Sequence, residues 1–192
     1  MFLVRRPSAD FVSEFIARQS SLPFSYADVG ATAVLAPPGY RIDHNRTKLG
    51  AGGETYDRAV SALKHWQQFN IGWVRIVPPE TALELRAVVA VEARAFGLWS
   101  LNAARVIYTF DDQRDSQAKF GFAYGTLPDH VEEGEERFTV EWLEDDSVWY
   151  DIYAFSRPRH RLAKIGFPLC RMLQKRFARD SMAAMRMMTR VD

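Results

Sequence analysis

The chain has 192 residues, of which 47% are hydrophobic, so it holds enough apolar material for one packed domain over residues 1–192. Its 25 basic and 24 acidic residues nearly cancel, which excludes any argument from bulk charge for nucleic acid or an anionic membrane. The single cysteine, Cys170, excludes an intrachain disulfide, and no run of about 20 apolar residues is present to span a bilayer. We therefore expect a soluble, cytoplasmic protein.

Residues 1–20 are predicted to form a helical extension that covers the rest of the domain. Ser8 is a suitable N-cap, and the apolar residues that follow have helical spacing, at Phe11, Val12, Phe15 and Ile16. Residues 21–38 mix Pro, Gly and small residues, which indicates an irregular segment on the surface. A first strand is expected at residues 40–48.

A second helix is predicted after the glycine-rich break at residues 50–53. One helical face carries the apolar residues Tyr56, Ala59, Val60, Leu63 and Trp66. The break lacks the lysine of a phosphate-binding loop, so a tight strand-to-helix turn is favoured over an anion site.

Six β-branched or aromatic segments follow, at residues 71–77, 83–93, 104–110, 119–124, 137–142 and 148–155. Their connections are short and rich in Pro and Asp, so neighbouring strands are predicted to be antiparallel. The segment 148–155 is bulky on both faces, which predicts that both of its sides are covered.

The C-terminal part is predicted to be a long amphipathic helix from Pro158 onward. Its apolar stripe comprises Leu162, Ile165, Leu169, Leu173, Phe177 and Met188. Pro168 predicts either a kink or the start of regular helix near that residue. The fold class is therefore α+β, a curved antiparallel sheet followed by a long helix. The basic helix face is interpreted as solvated, with neither a nucleic-acid partner nor membrane insertion expected.

Several segments carry a family resemblance, namely residues 120–130, 134–138 and 154–158, with further matches at 24–30, Thr32, 49–52, Trp66, Phe69, Gly72 and Trp73. The chain resembles the domain-of-unknown-function family nineteen-ninety of bacteria and plants, which has no established activity to carry over. That resemblance implies a distant relation to the helix-grip superfamily of START, pollen-allergen and polyketide-cyclase proteins. In that plan a sheet of about seven strands curls around a C-terminal helix, and the gap between them commonly holds an apolar small molecule.

A ligand in such a gap would meet amphipathic aromatic and polar side chains on the predicted strands. The candidate ligand-binding residues are Arg46, Trp66, Asn102, Arg105, Tyr108, Tyr124, His130 and Tyr153. Arg46 or Arg105 could hold a carboxylate or phosphate by a bidentate contact. The alternatives stay open: an ordinary core for the aromatic residues, and an inter-strand salt bridge or a solvated sheet face for the arginines.

His130 precedes an acidic run formed by Glu132, Glu133, Glu135 and Glu136. A His–carboxylate pair for acid–base work is conceivable, but no nucleophile is nearby, and the run is interpreted as a solvated loop leading into a strand. The remaining histidines are scattered, so neither a metal site nor a cofactor is expected.

Three hypotheses follow. The leading one is a protein that binds a small hydrophobic or amphipathic molecule between the sheet and the last helix. The second is a polyketide-cyclase-like enzyme, which requires at least two of Arg46, Arg105, Tyr124 and His130 to meet in one cavity. The third is an interaction module that uses the basic C-terminal helix.

Overall fold

A single antiparallel sheet organises the chain, which the computed structural model describes at residues 1–114, 117–159 and 167–190. Its eight strands are β1 (Phe2–Leu3), β2 (Arg41–Ala51), β3 (Val74–Val77), β4 (Val88–Ala95), β5 (Leu98–Arg114), β6 (Gln117–Thr126), β7 (Glu132–Trp142) and β8 (Ser147–Pro158). The strand order is β2-β8-β7-β6-β5-β4-β3. Strand β1 pairs with β5 at Trp99 and Ser100, just before the stretch of β5 that pairs with β6.

Within the described residues three helices cover this sheet, namely α1 (Ala9–Ser20), α2 (Gly53–Lys64) and α3 (Phe167–Met188). Short 3-10 turns occur at Ala31–Ala33 and Gln67–Phe69. Helices α2 and α3 pack on one face, here called the inner face, and α1 packs on the opposite, outer face. The curved sheet and its C-terminal helix therefore match the predicted α+β class.

Alternation along the central strands decides which side chains face the helices. Phe122 of β6 lies opposite Phe138 of β7, which in turn lies opposite Ile152 of β8. All three are buried on the inner face, and the rings of Phe122 and Phe138 stack with centroids 5.2 Å apart. A row of large apolar side chains across three strands thus forms the centre of the core.

Strand β8 is covered on both faces, as its composition predicts. On the inner face the Tyr150 hydroxyl lies 2.9 Å from Ser181 Oγ of α3. On the outer face Phe155 is fully buried against the rings of Tyr26 and Tyr40. The outer layer here is an irregular segment, residues 24–34, that we call the outer cover.

Two glycines allow close approaches to the sheet, Gly125 by the outer cover and Gly134 by the backbone of β8. A Cβ atom added at Gly125 would collide with the Tyr26 hydroxyl, and one added at Gly134 would collide with the backbone oxygen of Phe155. Gly134 also has φ of +150°, which favours glycine. Gly125 therefore serves packing of the outer cover, and Gly134 serves the close pairing of β7 with β8.

Several boundaries differ from the sequence prediction for local reasons. Strand β1 was not predicted, because two residues are too short to show a periodicity, and its position depends on pairing with β5. Strand β4 begins at Val88 and not at residue 83, since Arg86 has a left-handed backbone with φ of 70°. Trp66, with φ of 56°, lies beyond the end of α2.

Helix α3 carries the predicted apolar stripe from Leu169 onward, although Leu169 and Met188 at its two ends are exposed. Pro168 lies in its first turn, where the missing backbone donor would have no partner inside the helix. Leu162 and Ile165 lie outside the described residues.

Replacing Gly134 by alanine is expected to destabilise the protein by about 2 to 4 kcal/mol, because the new Cβ would press on a rigid strand backbone. Gly97 provides the matched control, since it has φ of 78° and no atom within 4 Å of an added Cβ. Gly97→Ala should cost only about 1 kcal/mol. Urea unfolding of both variants measures the difference, and equal losses would contradict the packing role.

Candidate functional site

A cavity of about 340 Å³ lies between the inner face of the sheet and the first half of α3. Its apolar wall is formed mainly by Phe69, Trp73, Val91, Ile152 and Phe177. Phe69 and Phe177 are in ring contact, with centroids 5.2 Å apart, and they separate the cavity from the core. This volume is at the lower end of the range for small-molecule sites, about 300 to 1,000 Å³.

An ion pair joins α3 to the edge strand β2 beside this cavity. Both terminal nitrogens of Arg171 contact the two carboxylate oxygens of Asp43, with Nη2 and Oδ1 2.8 Å apart. The Arg171 Nη1 group also donates to Gln174 Oε1 at 2.6 Å. A bidentate arginine–carboxylate contact fixes the helix to the sheet edge with a defined geometry.

Glu132 at the start of β7 lies at the same polar end of the cavity. Its carboxylate accepts a 2.6 Å hydrogen bond from Gln174 Nε2, which also lies 3.2 Å from Ser156 Oγ. Burial raises the pKa of Glu132, and the hydrogen bonds from Gln174 and Ser156 together with the Arg171 charge partly oppose this shift. The Glu132 side chain is thus half-buried and hydrogen-bonded to α3.

Glu136, two pleat repeats further along β7, also lines the cavity. The Tyr124 hydroxyl donates to Glu136 Oε2 at 2.6 Å. Burial raises the pKa of Glu136 to about 7, and the hydrogen bond from Tyr124 only partly offsets the loss of solvation. Burial likewise raises the pKa of Tyr124, so this hydroxyl remains a proton donor to the glutamate.

His130 precedes β7 and lines the same cavity. Its Nδ1 lies 3.1 Å from the Glu132 backbone nitrogen and 3.0 Å from the Glu132 carbonyl oxygen. Burial lowers the pKa of His130 to about 3, and the positive charge of the Met1 amino group adds to this effect. The imidazole is therefore neutral near pH 7 and contributes hydrogen bonding without charge.

Three of the predicted ligand-binding residues, Asn102, Tyr124 and His130, line the cavity. Asn102 lies on β5, where its Oδ1 accepts from the Val131 backbone nitrogen at 3.3 Å and its Nδ2 donates to Ser100 Oγ at 3.1 Å. These contacts fix the orientation of the Asn102 amide, which lies at the end of the cavity opposite the ion pair between Arg171 and Asp43.

Arg46 and Arg105 lie on the outer face, away from the cavity. Arg46 forms a 2.7 Å salt bridge with Glu141 and stacks over Trp149, which is the inter-strand alternative left open by the sequence. Arg105 donates to the carbonyl oxygens of Gln19, Ser20 and Leu22 at the C-terminal end of α1. A cation there compensates the unpaired carbonyls of the helix terminus.

The remaining predicted ligand-binding residues, Trp66, Tyr108 and Tyr153, do not line the cavity. Trp66 is buried in the core, and its indole donates to the Thr81 carbonyl oxygen at 2.7 Å. A bulge in β5 between Val106 and Tyr108 turns Tyr108 to the outer face, where its hydroxyl lies 2.7 Å from Thr32 Oγ1. Tyr153 faces outward beneath Arg137.

The interpretation of the acidic run as a solvated loop is wrong. Its glutamates lie on β7, and the pleat directs Glu132 and Glu136 into the cavity while Glu133 and Glu135 face outward. Glu135 is buried and accepts hydrogen bonds from the outer cover, through the Tyr26 hydroxyl, the Gly30 and Thr32 backbone nitrogens and the Thr32 hydroxyl. The alternation of Phe138, Val140 and Trp142 with polar residues, continued back into the acidic run, is the signal that could have indicated this strand.

Two further observations concern metal binding and membrane crossing by the described residues. Across residues 1–114, 117–159 and 167–190, no group of three His, Cys, Asp or Glu side chains is arranged to bind a metal ion. Within this same part of the chain, no helix combines the length and apolar character needed to cross a bilayer.

A family model described as "Domain of unknown function (DUF1990)" matches residues 25–184. The chain belongs to this family. A UPF0548 protein of Dictyostelium discoideum is 35% identical to it over 199 residues, an alignment that covers 94% of this chain and 92% of the relative. The matched range includes strands β2 to β8, most of α3 and the cavity-lining residues other than Phe2, and leaves β1 and α1 outside.

Solved structures with low sequence identity share the fold. A hypothetical protein of Helicobacter pylori superposes with a TM-score of 0.52 at 16% identity, covering 80% of this chain and 91% of its own. The Zhui aromatase/cyclase of Streptomyces sp. R1128 gives 0.50 at 10% identity, covering 78% of this chain and 93% of its own. These likenesses establish a helix-grip fold.

Glu136→Gln is expected to stabilise the protein at pH 8 by about 2 kcal/mol relative to the parent chain. The folded-state pKa of Glu136, about 7, is above its usual value of 4.5. Its contribution to folding stability is therefore fully present below pH 4.5 and is lost as the pH rises through 7. Glutamine keeps the Tyr124 contact without the charge.

Urea unfolding of both proteins at pH 8 and pH 5 measures this effect, and the difference between them should shrink at pH 5. Glu133→Gln on the outer face is the control and should lack this pH dependence. A Glu136→Gln variant that is equally destabilised at both pH values would contradict the assignment of a buried, desolvated carboxyl group.

Proposed function

We propose that this protein binds a small amphipathic molecule in the cavity between the sheet and α3. The observation that carries the proposal is the cavity itself, about 340 Å³ in volume, which leaves a space where a filled core would have excluded a ligand. Its aromatic wall suits an apolar body, and Tyr124, His130, Glu132 and Glu136 suit a polar group at the other end.

The basic-helix hypothesis has less support from the described residues. Arg171 contacts Asp43, Arg176 and Arg179 contact Asp180, and Arg186 contacts Thr47. Because these arginines are engaged within the chain, the cavity is the better candidate for function.

Filling the cavity should abolish binding without disturbing the exterior. Ala154 on β8 lines the cavity, and in Ala154→Phe the added ring would occupy ligand space. We expect the affinity for N-phenyl-1-naphthylamine, measured by titration calorimetry, to fall by about tenfold or more. Native mass spectrometry of freshly purified protein should show a small-molecule adduct on the parent chain that this variant lacks.

Ala183→Phe is the matched control, since Ala183 is an exposed residue of α3 and the same ring is added outside the cavity. This variant should bind the probe like the parent chain. If neither an adduct nor probe binding is found with the parent chain, or if Ala154→Phe binds unchanged while folding normally, the proposal is wrong.

A proton-transfer enzyme is a second candidate function, supported by one observation. The hypothesis requires at least two of its four candidate residues to meet, and two of them, Tyr124 and His130, line one cavity, where Glu136 has a pKa of about 7. Incubating a ligand recovered from the protein with the parent chain in D₂O should exchange its acidic C–H hydrogens. Exchange that is equally fast with Glu136→Gln would contradict a catalytic role for Glu136.

A further inference from the structure

The hydrogen bonding of Glu136 is incomplete on the side that faces the cavity. Tyr124 donates to Oε2 at 2.6 Å, and within the described residues no donor reaches the second oxygen, Oε1. A carboxylate can accept about four hydrogen bonds, and burying one without such partners is costly. Because Glu136 lines the cavity, a donor bound there can approach this oxygen.

Cationic side chains near the cavity do not compensate Glu136. Arg171 is held by Asp43 and Gln174, and no ion pair within the described residues joins Lys175 to either cavity glutamate. Lys175 is an exposed residue of α3. The titratable or charged groups around Glu136 are Asp43 on β2, Tyr124 on β6, Glu132 and the neighbouring Glu135 on β7, Tyr150 on β8, Cys170, Arg171 and Lys175 on α3, and His130.

The remaining surface of the cavity also suits a cation with an apolar body. Glu132 accepts hydrogen bonds from Gln174 Nε2, at 2.6 Å, and from Ser156, and its carboxylate and that of Glu136 both line the cavity. The rings of Phe69, Trp73 and Phe177 form the wall around it. Aromatic faces attract cations, and carboxylates form charge-assisted hydrogen bonds with ammonium groups.

We propose that the ligand of this cavity carries a protonated amine, which the Glu136 carboxylate binds while the apolar part of the ligand packs against Phe69, Trp73 and Phe177. This inference rests on the proposed function and names the chemical class of its ligand. The amine supplies the hydrogen-bond donor and the positive charge that Glu136 lacks in the described structure.

The test compares three probes of nearly equal shape, 4-phenylbutylamine, 4-phenylbutanol and 4-phenylbutyrate, by titration calorimetry at pH 8. The amine should bind most tightly. Glu136→Gln should weaken amine binding by roughly 10- to 100-fold, because a hydrogen bond to a charged group is lost, and should change alcohol binding by less than about threefold. Glu133→Gln, on the outer face of the same strand, should leave all three affinities unchanged.

The pH provides an independent measurement on the same proteins. The amine stays protonated from pH 6 to pH 8 while Glu136 ionises near pH 7, so amine affinity should rise by about tenfold over this range. At pH 6 binding should release a proton, seen as a dependence of the calorimetric heat on buffer ionisation. In Glu136→Gln the affinity should be independent of pH, which a merely structural role for Glu136 would not produce.

The outcomes separate this inference from the proposed function. If the alcohol or the carboxylate binds as tightly as the amine, or if Glu136→Gln binds the amine normally, the amine inference is wrong and ligand binding stands. A carboxylate probe whose binding weakens in Lys175→Met would indicate an anionic ligand. If none of the probes, nor N-phenyl-1-naphthylamine, binds the parent chain, both proposals fail.

Discussion

Helix α3 is attached to the sheet in two different ways along its length, and the cavity depends on this difference. Toward its C-terminal end, Ser181 and Met185 are fully buried, and Ser181 contacts Tyr150 directly. Toward its N-terminal end, Arg171 and Gln174 reach across to polar groups on the sheet. Long hydrogen-bonded side chains hold the helix at a distance that close apolar packing would remove. The unfilled space lies where the polar contacts replace the apolar ones.

Two consecutive glutamates on β7 show how the same residue type serves opposite purposes on the two faces of a strand. Glu135 is buried beneath the outer cover, and donors from Tyr26, Gly30 and Thr32 compensate its charge. Glu136 has one described donor, Tyr124. Burial of a carboxyl group is costly unless it is hydrogen-bonded. The outer glutamate therefore fixes a layer of the fold, while the inner one retains the capacity to accept further donors.

The succession of elements could be predicted because periodicity is a local property of the chain, and the family resemblance added the helix-grip plan. Which side of the sheet a residue faces is not local. Tyr108 would share a face with Val106, but the bulge between them turns it outward. The acidic run has the composition of a loop, and its pairing with β6 and β8 shows that it is a strand. The sequence indicated Asn102, Tyr124 and His130 as candidate ligand-binding residues, and all three line the cavity. It did not indicate Glu136, because charge alone does not reveal burial.

Trp73 connects several of these features, since its indole donates to Asp180 of α3 at 2.9 Å and its ring lines the cavity beneath the guanidinium of Arg176. Indole emission depends on the polarity around the ring. An occupant that displaces water from this wall shifts the emission of Trp73 to shorter wavelength, whereas the fully packed Trp66 keeps the same surroundings. The fluorescence of Trp73 therefore reports whether the cavity is filled.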